Sequence, residues 1–332
     1  MGNPRVVTIT GGSGGKRLLQ ALRDLVIDPT AIVTVFDDGG STGRIMKEFE
    51  AALALGDIRQ CLEALATVDG LLMELFCGRF TGEGIHDGYG IGDHALGNLF
   101  LLQRLQHHKY DALRAIEDVS TLLGVGGRVL PVSQSPAVLQ AILNDGARVV
   151  GESMIGTRPI QDRRVITDLM LDPVVPMLPQ AASAVREAHV VIIGPGDLYT
   201  SLIPNLLVEG FKEAFQISSA KFVFVASCMT RAAETRGRSV SWCAQEILKY
   251  AGRARFDHVL VNNGPIPEAV ANRYWRSEEA EPMQEGEFTS FAAPSAIIRT
   301  CLLDEGELAK GNVRHDPHKL RAALQTVFEE LW

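Results

Sequence analysis

The chain repeats one pattern that limits what it can fold into. A short apolar run ends in a loop of glycine and small polar residues, and a helical pattern follows: "VVTIT" precedes "GGSGGKR", "VTVF" precedes "DDGGSTGR", "VVII" precedes "GPGDLYTS", and "HVLV" precedes "NNGPIP". Apolar strands that alternate with helices predict an α/β fold with a mostly parallel sheet covered on both faces. Because the carboxyl ends of parallel strands meet at one edge, we expect these loops to line a ligand crevice.

The region from about residue 125 to 175 departs from this alternation. It contains strand-like runs, including "GRVLPVS" and "ARVVGES", but few helical patterns. We therefore expect a small β-rich insertion there, within a single domain that spans residues 1–332. The last helix is expected to follow Asp316-Pro317, because Asp is a good N-cap and Pro suits the first helical position.

Composition excludes several classes of protein. The 332 residues carry a formal net charge of −8, which argues against nucleic-acid binding, since that needs clustered Lys and Arg. No signal-peptide pattern and no long apolar run is present, so neither secretion nor membrane insertion is expected. The five cysteines are scattered, which argues against disulfides and fits a cytoplasmic location. His86, Asp87, Asp93 and His94 lie close in sequence but match no standard zinc motif.

The first loop joins a strand to a helix predicted over "KRLLQALRDL". Glycines let backbone N–H groups approach an anion, and the helix N-terminus adds partial positive charge. Lys16 and Arg17 add full charges, so an anion site is favoured over a purely structural turn. The loop matches neither Walker A nor G-x-G-x-x-G, which argues against an NAD-dependent oxidoreductase. Its candidate ligand contacts are Gly11, Gly12, Ser13, Gly14, Gly15 and Lys16.

The second loop begins with two adjacent acids, Asp37 and Asp38, directly after a buried strand. Either could accept a hydrogen bond from a ribose hydroxyl, polarise a reacting hydroxyl or hold Mg²⁺; the alternative is a turn stabilised by Asx hydrogen bonds. Both are therefore candidate catalytic residues and metal ligands. The same loop adds four candidate ligand contacts: Gly39, Gly40, Ser41 and Arg44.

Two further helices begin with polar candidates. "GDIRQCLEALA" places Asp57 and Arg59 in a first turn, where a helix cap explains Asp57 as well as a ligand contact does. "HALGNLF" places His94 and Asn98 around Gly97. A glycine costs about 1 kcal/mol in a helix, so this one suggests that another group approaches the backbone closely.

Several blocks, taken in order, resemble one family. "DDGGSTGR", "GDIRQCLEALA", "HALGNLFLL", "GRVLPVS", "GPGDLYTSLIPNLLVEG", "VLVNNGPIP" and "RHDPHKL" look like the YvcK-type gluconeogenesis factors, relatives of the 2-phospho-L-lactate transferase CofD. The resemblance covers residue 5 to about 325. It implies a Rossmann-like, doubly wound core of CofD-like topology, a homodimer, and a crevice for a UDP-sugar such as UDP-N-acetylglucosamine or UDP-glucose. It also implies a link to gluconeogenic growth and cell-envelope morphogenesis.

The resemblance extends to two residues near the C-terminal end. The family's uridine-sugar contacts correspond to Tyr274 in "ANRYW" and Arg314 in "VRHDP". Tyr274 is expected to pack on a base or sugar and Arg314 to pair with a phosphate, and neither is expected to belong to the core. Thr200 is expected either to contact the ligand or, with Ser201, to cap the next helix. The later strand ends add Gly194, Gly196, Tyr199, Thr200 and Asn263 to the candidate ligand contacts.

The chain departs from the family's pattern in two loops. The family's first loop usually reads GGGTGLS, where this chain has "GGSGGKR", closer to the transferase branch. The usual MTQPGET is here "MTRAAET", which brings in Arg231. The identity of the ligand therefore stays open, as does a second interpretation. In that interpretation the protein is a Mg²⁺-dependent, CofD-like transferase that moves a phospholactyl-type group onto an alcohol.

Overall fold

The fold is organised by a central parallel sheet. The computed structural model describes residues 2–49, 53–81, 92–289 and 293–331. Its strands, in chain order, are β1 (Arg5–Ile9), β2 (Asp28–Val33), β3 (Arg128–Pro131), β4 (Val138–Leu143), β5 (Arg148–Val150), β6 (Ile166–Asp172), β7 (Val190–Ile193), β8 (Lys221–Val225), β9 (His258–Asn262) and β10 (Ala296–Thr300).

Seven of these strands form the central sheet, in the order β10-β9-β8-β7-β1-β2-β3. Every neighbouring pair is parallel. The chain starts in the middle at β1, moves outward to β3, returns to the other side of β1 and continues outward to β10. This doubly wound order confirms the predicted fold class and places the reversal of strand order between β1 and β7.

Helices connect the strands. In the described residues they are α1 (Gly12–Arg23), α2 (Gly40–Phe49), α3 (Gly56–Leu65), α4 (Leu71–Cys77), α5 (Leu96–His107), α6 (Ala112–Leu123), α7 (Glu152–Gly156), α8 (Pro179–Glu187), α9 (Ile203–Leu206), α10 (Phe211–Ile217), α11 (Val240–Ala251), α12 (Glu268–Glu278), α13 (Glu305–Ala309) and α14 (Pro317–Leu331), with a π-helical turn at Leu198–Leu202. The predicted start of the last helix is confirmed, because Asp316 Oδ1 accepts the His318 N–H at 2.7 Å. In the part of the chain that the structure describes, no helix combines the length and apolar character needed to cross a membrane.

Alternate residues of β1 show why both faces of the sheet are covered. Val6 belongs to one buried cluster, with Leu22 of α1 and Leu324 of α14. Val7 points the other way and belongs to a second, larger cluster with Ile58 of α3. Each fully buried aliphatic side chain contributes about 1.5–3 kcal/mol of hydrophobic stabilisation. The continuous apolar pattern of the strand is thus explained by two cores rather than one.

A second, antiparallel sheet lies within residues 138–172. Its strands are ordered β5-β4-β6, and β4 pairs with both neighbours in antiparallel register. The predicted β-rich insertion begins too early in the sequence, because β3 belongs to the central sheet. There β3 pairs in parallel with β2 and buries Val129 and Leu130.

Two glycine-rich segments predicted as loops are the first turns of helices. α1 begins at Gly12 rather than at Lys16, and α2 begins at Gly40. Both glycines have positive φ, +60° and +49°, which a residue with a side chain rarely adopts. At Gly15, a Cβ would lie 2.6 Å from Thr10 Oγ1. Positive φ therefore explains Gly12 and Gly40, and close packing on the end of β1 explains Gly15; helix propensity explains none of them.

Replacement of Gly15 tests this packing. Ala is favoured over Gly in a helix by about 1 kcal/mol, yet we expect Gly15→Ala to destabilise the fold by about 1–3 kcal/mol through overpacking. Thr10 cannot move away without losing its 2.7 Å hydrogen bond to Pro195 O. Urea unfolding followed by circular dichroism measures the effect. The control is Gly126→Ala, where the nearest atom lies 3.7 Å from the added Cβ; equal losses in both variants would contradict the packing argument.

Candidate functional site

A cavity of about 230 Å³ opens at the carboxyl ends of β1, β7 and β8. This is where the strand order reverses, the position at which open α/β sheets bind ligands. Four separate parts of the chain line it: the start of α1, the turn after β7, the segment after β8, and α12 together with residues 313–315. The lining residues are Ser13, Gly14, Arg17, Pro195, Gly196, Asp197, Ser227, Cys228, Met229, Thr230, Arg231, Tyr274, Glu278, Ala280, Val313, Arg314 and His315.

Close backbone contact brings α1 against the turn after β7. A Cβ on Gly14 would lie 3.1 Å from Pro195 O, and Thr10 Oγ1 donates to the same carbonyl at 2.7 Å. Gly194 has φ +80°, and a Cβ there would lie 2.5 Å from Val225 O. The glycines of both loops therefore let three strand ends meet, which leaves the N-terminus of α1 on the cavity wall.

The cavity wall carries three arginines and two acids. Arg231 pairs with Asp197 at 3.3 Å and approaches Glu278 at 3.9 Å, while Arg17 pairs with Asp304 at 3.0 Å. Burial raises the pKa of Asp197, and the neighbouring Arg231 opposes this shift. An anion in the cavity could therefore draw Arg231 away from Asp197.

Arg314 differs from the other two arginines. It is exposed, and the contact described for its guanidinium is a 3.1 Å hydrogen bond from Nη1 to the carbonyl of its neighbour Val313. Among the described residues it forms no ion pair within 4 Å. Its charge is thus available to a ligand at the smallest cost in lost contacts.

Tyr274 lies beside Arg314 at the cavity, as predicted, but it is buried. The Val313 N–H donates to its hydroxyl at 3.1 Å, and its ring belongs to a small apolar cluster with Cys228 and Leu303. The expectation that Tyr274 lies outside the core is therefore wrong. Tyr274 is the one buried residue of α12, and it packs on the C-terminal segment. Hydrophobic periodicity cannot reveal a helix face that consists of a single buried residue.

Lys16 takes no part in the cavity, although the adjacent Arg17 does. Lys16 pairs with Glu63, which also receives Arg59 Nη1 at 2.9 Å. The charges of Lys16 and Arg59 help to lower the pKa of Glu63 against the effect of burial. Arg17 therefore takes the place at the cavity that was predicted for Lys16. The start of the helix at Gly12 explains this, because it turns residue 16 toward α3 and residue 17 toward the cavity.

Arg59 continues this contact into a polar chain of predicted residues. Its Nε donates to Asn98 Oδ1 at 3.1 Å, Asn98 Nδ2 donates to Ser41 Oγ at 3.2 Å, and Ser41 Oγ lies 2.7 Å from His94 Nδ1. Gly97 permits this, because a Cβ there would lie 2.9 Å from Arg59 Cδ. The close approach predicted at Gly97 is confirmed. These side chains lie together on the β2 side of the crevice, and none of them lines the 230 Å³ cavity.

The acid pair at the end of β2 stabilises local backbone. Asp37 Oδ1 accepts the Gly39 N–H at 2.9 Å, the Asx contact considered as the alternative to a ligand role. Asp38 is exposed, and its Oδ1 accepts the Ser153 N–H at 2.8 Å. Asp38 therefore joins the central sheet to α7, the short helix next to the small sheet.

Three more acids lie around this pair. Burial, followed by the charge of Asp37, raises the pKa of Asp57 to about 6 and that of Glu152 to about 9. Burial also raises the pKa of Glu234 to about 7, and the charge of Asp197 adds to the shift. The crevice thus holds carboxyl groups that change protonation state near neutral pH.

No group of three or more His, Cys, Asp or Glu side chains in the described residues is placed to hold a metal ion. His86 and Asp87 lie outside the described residues. Mg²⁺ at Asp37 or Asp38 stays a prediction, because two carboxylates could be completed by water and by ligand phosphates.

The remaining predicted residues have other surroundings. Tyr199 and Thr200 lie in the π-helical turn, where the Tyr199 N–H and the Thr200 hydroxyl donate to Glu234 at 2.6 and 2.8 Å. Thr200 therefore does not cap a following helix. Arg44 approaches Asp93 at 3.8 Å, and Asn263 is exposed after β9 and does not line the cavity.

Gly11 and Gly12, at the start of α1, do not themselves line the cavity. A Cβ on Gly11 would lie 2.9 Å from both Asp57 Oδ2 and Ser201 Cβ. The N–H of Gly12 donates to Asp57, so Asp57 stabilises the start of α1 rather than that of its own helix. The space beside Gly12 is open, because a Cβ on this residue would meet no described atom within 4 Å.

Comparison with known proteins agrees with this fold. Residues 6–295 match the family described as 2-phospho-L-lactate transferase CofD. The chain is 40% identical to the gluconeogenesis factor of Halalkalibacterium halodurans, with 85% of this chain and 84% of the relative covered. It is 36% identical to that of Bacillus subtilis, with 98% and 99% covered. The crystal structure of a UPF0052-family protein from Bacillus halodurans is similar, with a TM-score of 0.87, 36% identity and 98% and 99% coverage.

The chain belongs to the CofD family. Its relatives named gluconeogenesis factor confirm the resemblance inferred from the sequence blocks. In this CofD-family protein, sequence reasoning missed Asp197 and Glu278 as residues of the cavity wall. The rule that polar residues after a strand line the crevice would have found Asp197, which follows β7. Glu278 ends a helix, and no sequence signal marks it.

The buried Glu234 makes stability depend on pH. Its pKa in the fold, about 7, lies above the ordinary value of 4.5, so its stabilising contribution is complete below about pH 4.5 and is lost as the pH rises through 7. The free energy of unfolding should therefore decrease between pH 4.5 and 8, and we expect this decrease to be smaller by on the order of 2–3 kcal/mol in Glu234→Gln. A glutamine can keep both hydrogen bonds, since the Thr200 hydroxyl can accept as well as donate. Urea unfolding of both proteins from pH 4.5 to 8 measures this; parallel curves would contradict it.

The link made by Asp38 is tested by a pair of substitutions. Asp38→Ala should cost about 0.5–2 kcal/mol, the usual effect of losing a side chain that accepts from a helical N–H. Asp38→Asn keeps a side-chain oxygen that can accept this hydrogen bond, so it should lower the free energy of unfolding by only a few tenths of a kcal/mol. Chemical unfolding compares the two variants, and an equal loss in both would mean that the charge rather than the hydrogen bond matters.

Proposed function

We propose that this CofD-family protein binds a UDP-sugar, such as UDP-N-acetylglucosamine or UDP-glucose, in the 230 Å³ cavity. The observation that carries the proposal is the convergence of the α1 N-terminus with Arg17, Arg231 and Arg314 on one cavity. Backbone N–H groups at a helix start and guanidinium groups are the donors that phosphates prefer in proteins. A diphosphate placed there would receive donors from several sides.

The size of the cavity limits how the ligand would lie. Sites for drug-sized ligands typically measure roughly 300–1,000 Å³, so 230 Å³ would hold the diphosphate and one ring. The remaining ring would lie at the mouth. Tyr274 offers the face of a phenol for the enclosed ring, and its hydroxyl is already held by the Val313 N–H. That contact fixes the ring orientation before a ligand binds.

Two features extend the proposal. Asp37 and Asp38 would add a Mg²⁺ site at the β2 end of the crevice, completed by water and ligand oxygens.

The protein would act as a homodimeric, ligand-responsive regulator of carbon metabolism, with an effect on cell-envelope morphogenesis. The printed name of its relatives, gluconeogenesis factor, supports the metabolic part of this role.

One observation favours a second candidate, a CofD-like transferase. Asp57, with a pKa raised to about 6 by burial and by Asp37, accepts a hydrogen bond from Gly12 at the start of α1. A carboxylate with a pKa near the working pH is suited to take a proton from an attacking alcohol. Turnover of a phospholactyl-type donor with an alcohol acceptor and Mg²⁺, abolished in Asp57→Asn, would favour the transferase over the regulator.

Arg314 provides the direct test of ligand binding. A charge-assisted hydrogen bond to phosphate contributes roughly 1.5–3 kcal/mol, so Arg314→Ala should weaken binding of UDP-N-acetylglucosamine or UDP-glucose by about tenfold or more. The melting temperature without ligand should barely change, because Arg314 is exposed and its guanidinium, among the described residues, hydrogen-bonds only to the carbonyl of Val313. Isothermal titration calorimetry and thermal melting of the same samples measure both.

The matched control is Arg276→Ala, which removes the same charge from an exposed position on α12 outside the cavity. Its affinity should equal that of the unmodified protein. Failure of every UDP-sugar to bind the unmodified protein would overturn the proposal. Equal weakening in Arg276→Ala and Arg314→Ala would instead indicate a general charge effect.

A further inference from the structure

A second, smaller cavity of about 60 Å³ lies next to the segment that follows β8. It shares no lining residue with the 230 Å³ cavity. Consecutive residues of one segment line first one cavity and then the other: Thr230 and Arg231 line the large one, and Ala232, Ala233 and Glu234 line the small one. The small cavity is thus a separate site on the same piece of backbone.

Five arginines line this small space: Arg158, Arg163, Arg164, Arg236 and Arg238. The acids that line it are Asp162 and Glu234. Glu279, outside the lining, receives both Nη atoms of Arg163, at 2.6 and 3.1 Å, and Arg236 approaches it at 3.4 Å. Asp162 receives Arg164 at 2.8 Å and lies 3.7 Å from Arg158. Arg164 also lies 3.3 Å from Asp145. Four carboxylates are therefore shared among five arginines, which leaves an excess of one positive charge around the cavity.

Two of the arginines have buried N–H groups without a partner. Arg158 is only 9% exposed. Its Nε has no hydrogen-bond partner among the described residues, and neither do Nε and Nη1 of Arg236. The other ends are held in place: Arg158 Nη1 donates to Arg164 O at 2.9 Å, and Arg236 Nη2 donates to Ile160 O at 2.8 Å. Buried donors are normally satisfied, so fixed guanidinium groups with spare donors indicate a missing acceptor.

Arg238 adds a third available cation. Its guanidinium lies 4.4 Å from the centre of the Trp242 ring, a stacking contact that holds the group in place while its N–H edge stays available. Among the described residues it forms no ion pair within 4 Å. Trp242 and Arg238 both line the cavity, so the stacked pair forms one of its walls.

We propose that this cavity is a second anion site, which takes a compact tetrahedral oxyanion: inorganic phosphate or the phosphate group of a small monoester. A volume of about 60 Å³ has room for such a group and excludes a nucleotide. Arg158 and Arg236 supply the unpartnered donors, and Arg238 supplies charge from the aromatic wall. The site does not depend on the UDP-sugar proposal, since it uses none of the residues of the large cavity.

The test is a phosphate titration of the full chain by isothermal titration calorimetry, against sodium chloride of equal ionic strength. Phosphate should bind the unmodified protein, and Arg236→Gln and Arg238→Gln should each weaken binding by about tenfold or more. Arg238→Gln breaks no hydrogen bond described in the fold, so it stays informative if Arg236→Gln unfolds. Glycerol 3-phosphate in parallel distinguishes the sources: tighter binding than phosphate identifies a phosphorylated metabolite, and weaker binding identifies the free ion.

Two controls separate this site from its surroundings. Arg148→Gln removes the same charge from an exposed position on β5, and Arg314→Gln alters only the large cavity; both should bind phosphate like the unmodified protein. Loss of phosphate binding in Arg314→Gln but not in Arg238→Gln would place the ion in the large cavity and overturn the proposal. So would the absence of any heat with millimolar phosphate.

Discussion

The contact between the start of α1 and the turn after β7 determines where everything else can lie. Thr10, at the end of β1, donates to Pro195 O at 2.7 Å, and Gly14 and Gly15 let the helix come within van der Waals distance of both. An added Cβ would lie 2.6 Å from Thr10 Oγ1 at Gly15 and 3.1 Å from Pro195 O at Gly14, so a side chain at either position would press on this contact. The order in which the chain adds strands reverses between β1 and β7, and the crevice opens there. This contact therefore sets the width of the crevice. A wider spacing would let side chains fill the space in which ligand phosphates are proposed to lie.

Near this contact, the cost of burying carboxylates is partly offset by their pairing with arginine, and a ligand can change that pairing. Removing a carboxylate from water costs several kcal/mol unless it is paired, and the crevice contains Asp57, Asp197 and Glu234 in positions where burial raises the pKa of each. Arg231 offsets part of this cost through Asp197. A phosphate would compete for the same guanidinium. Binding would therefore release Asp197 as a charge in a poorly solvated place, and proton uptake by the acids would relieve the resulting repulsion.

The fold can be predicted in outline because each strand carries its own signal. The apolar runs at β1, β2, β7, β8 and β9 are typical of buried parallel strands, and the structure places them in one sheet. The predicted boundary of the small sheet is wrong, since "GRVLPVS" joins β2, a partner far away in sequence that local pattern does not reveal. The glycine-rich runs are mistaken for loops because propensity counts against Gly12 and Gly40 in a helix. Both adopt a positive φ, which favours glycine and which local sequence pattern does not reveal.

The candidate site is predictable at the level of loops but not of side chains. The sequence places the loops after β1 and β7 at one crevice, and both line the cavity. It does not decide between Lys16 and Arg17, because a shift of one residue in the start of α1 rotates the side chains by about 100°. Glu278 and the buried face of Tyr274 depend on how α12 packs against residues 313–315, a contact between segments distant in sequence. Such pairings carry no local pattern.

The segment Met229–Arg238 lines both cavities. Its backbone is held by short-range hydrogen bonds, with the Arg231 N–H donating to Thr235 Oγ1 at 2.8 Å and the Thr235 N–H to Arg231 O at 2.7 Å. Glu234 then joins it to the π-helical turn that follows the Gly194–Gly196 turn. A displacement of Arg231 by a ligand in the large cavity would therefore reach the wall of the small one within three residues. Any coupling between the two would be reciprocal, because each ligand must change the affinity for the other by the same factor. The "MTRAAET" departure from the family's pattern falls on this segment, so its arginine faces one cavity and its alanines the other.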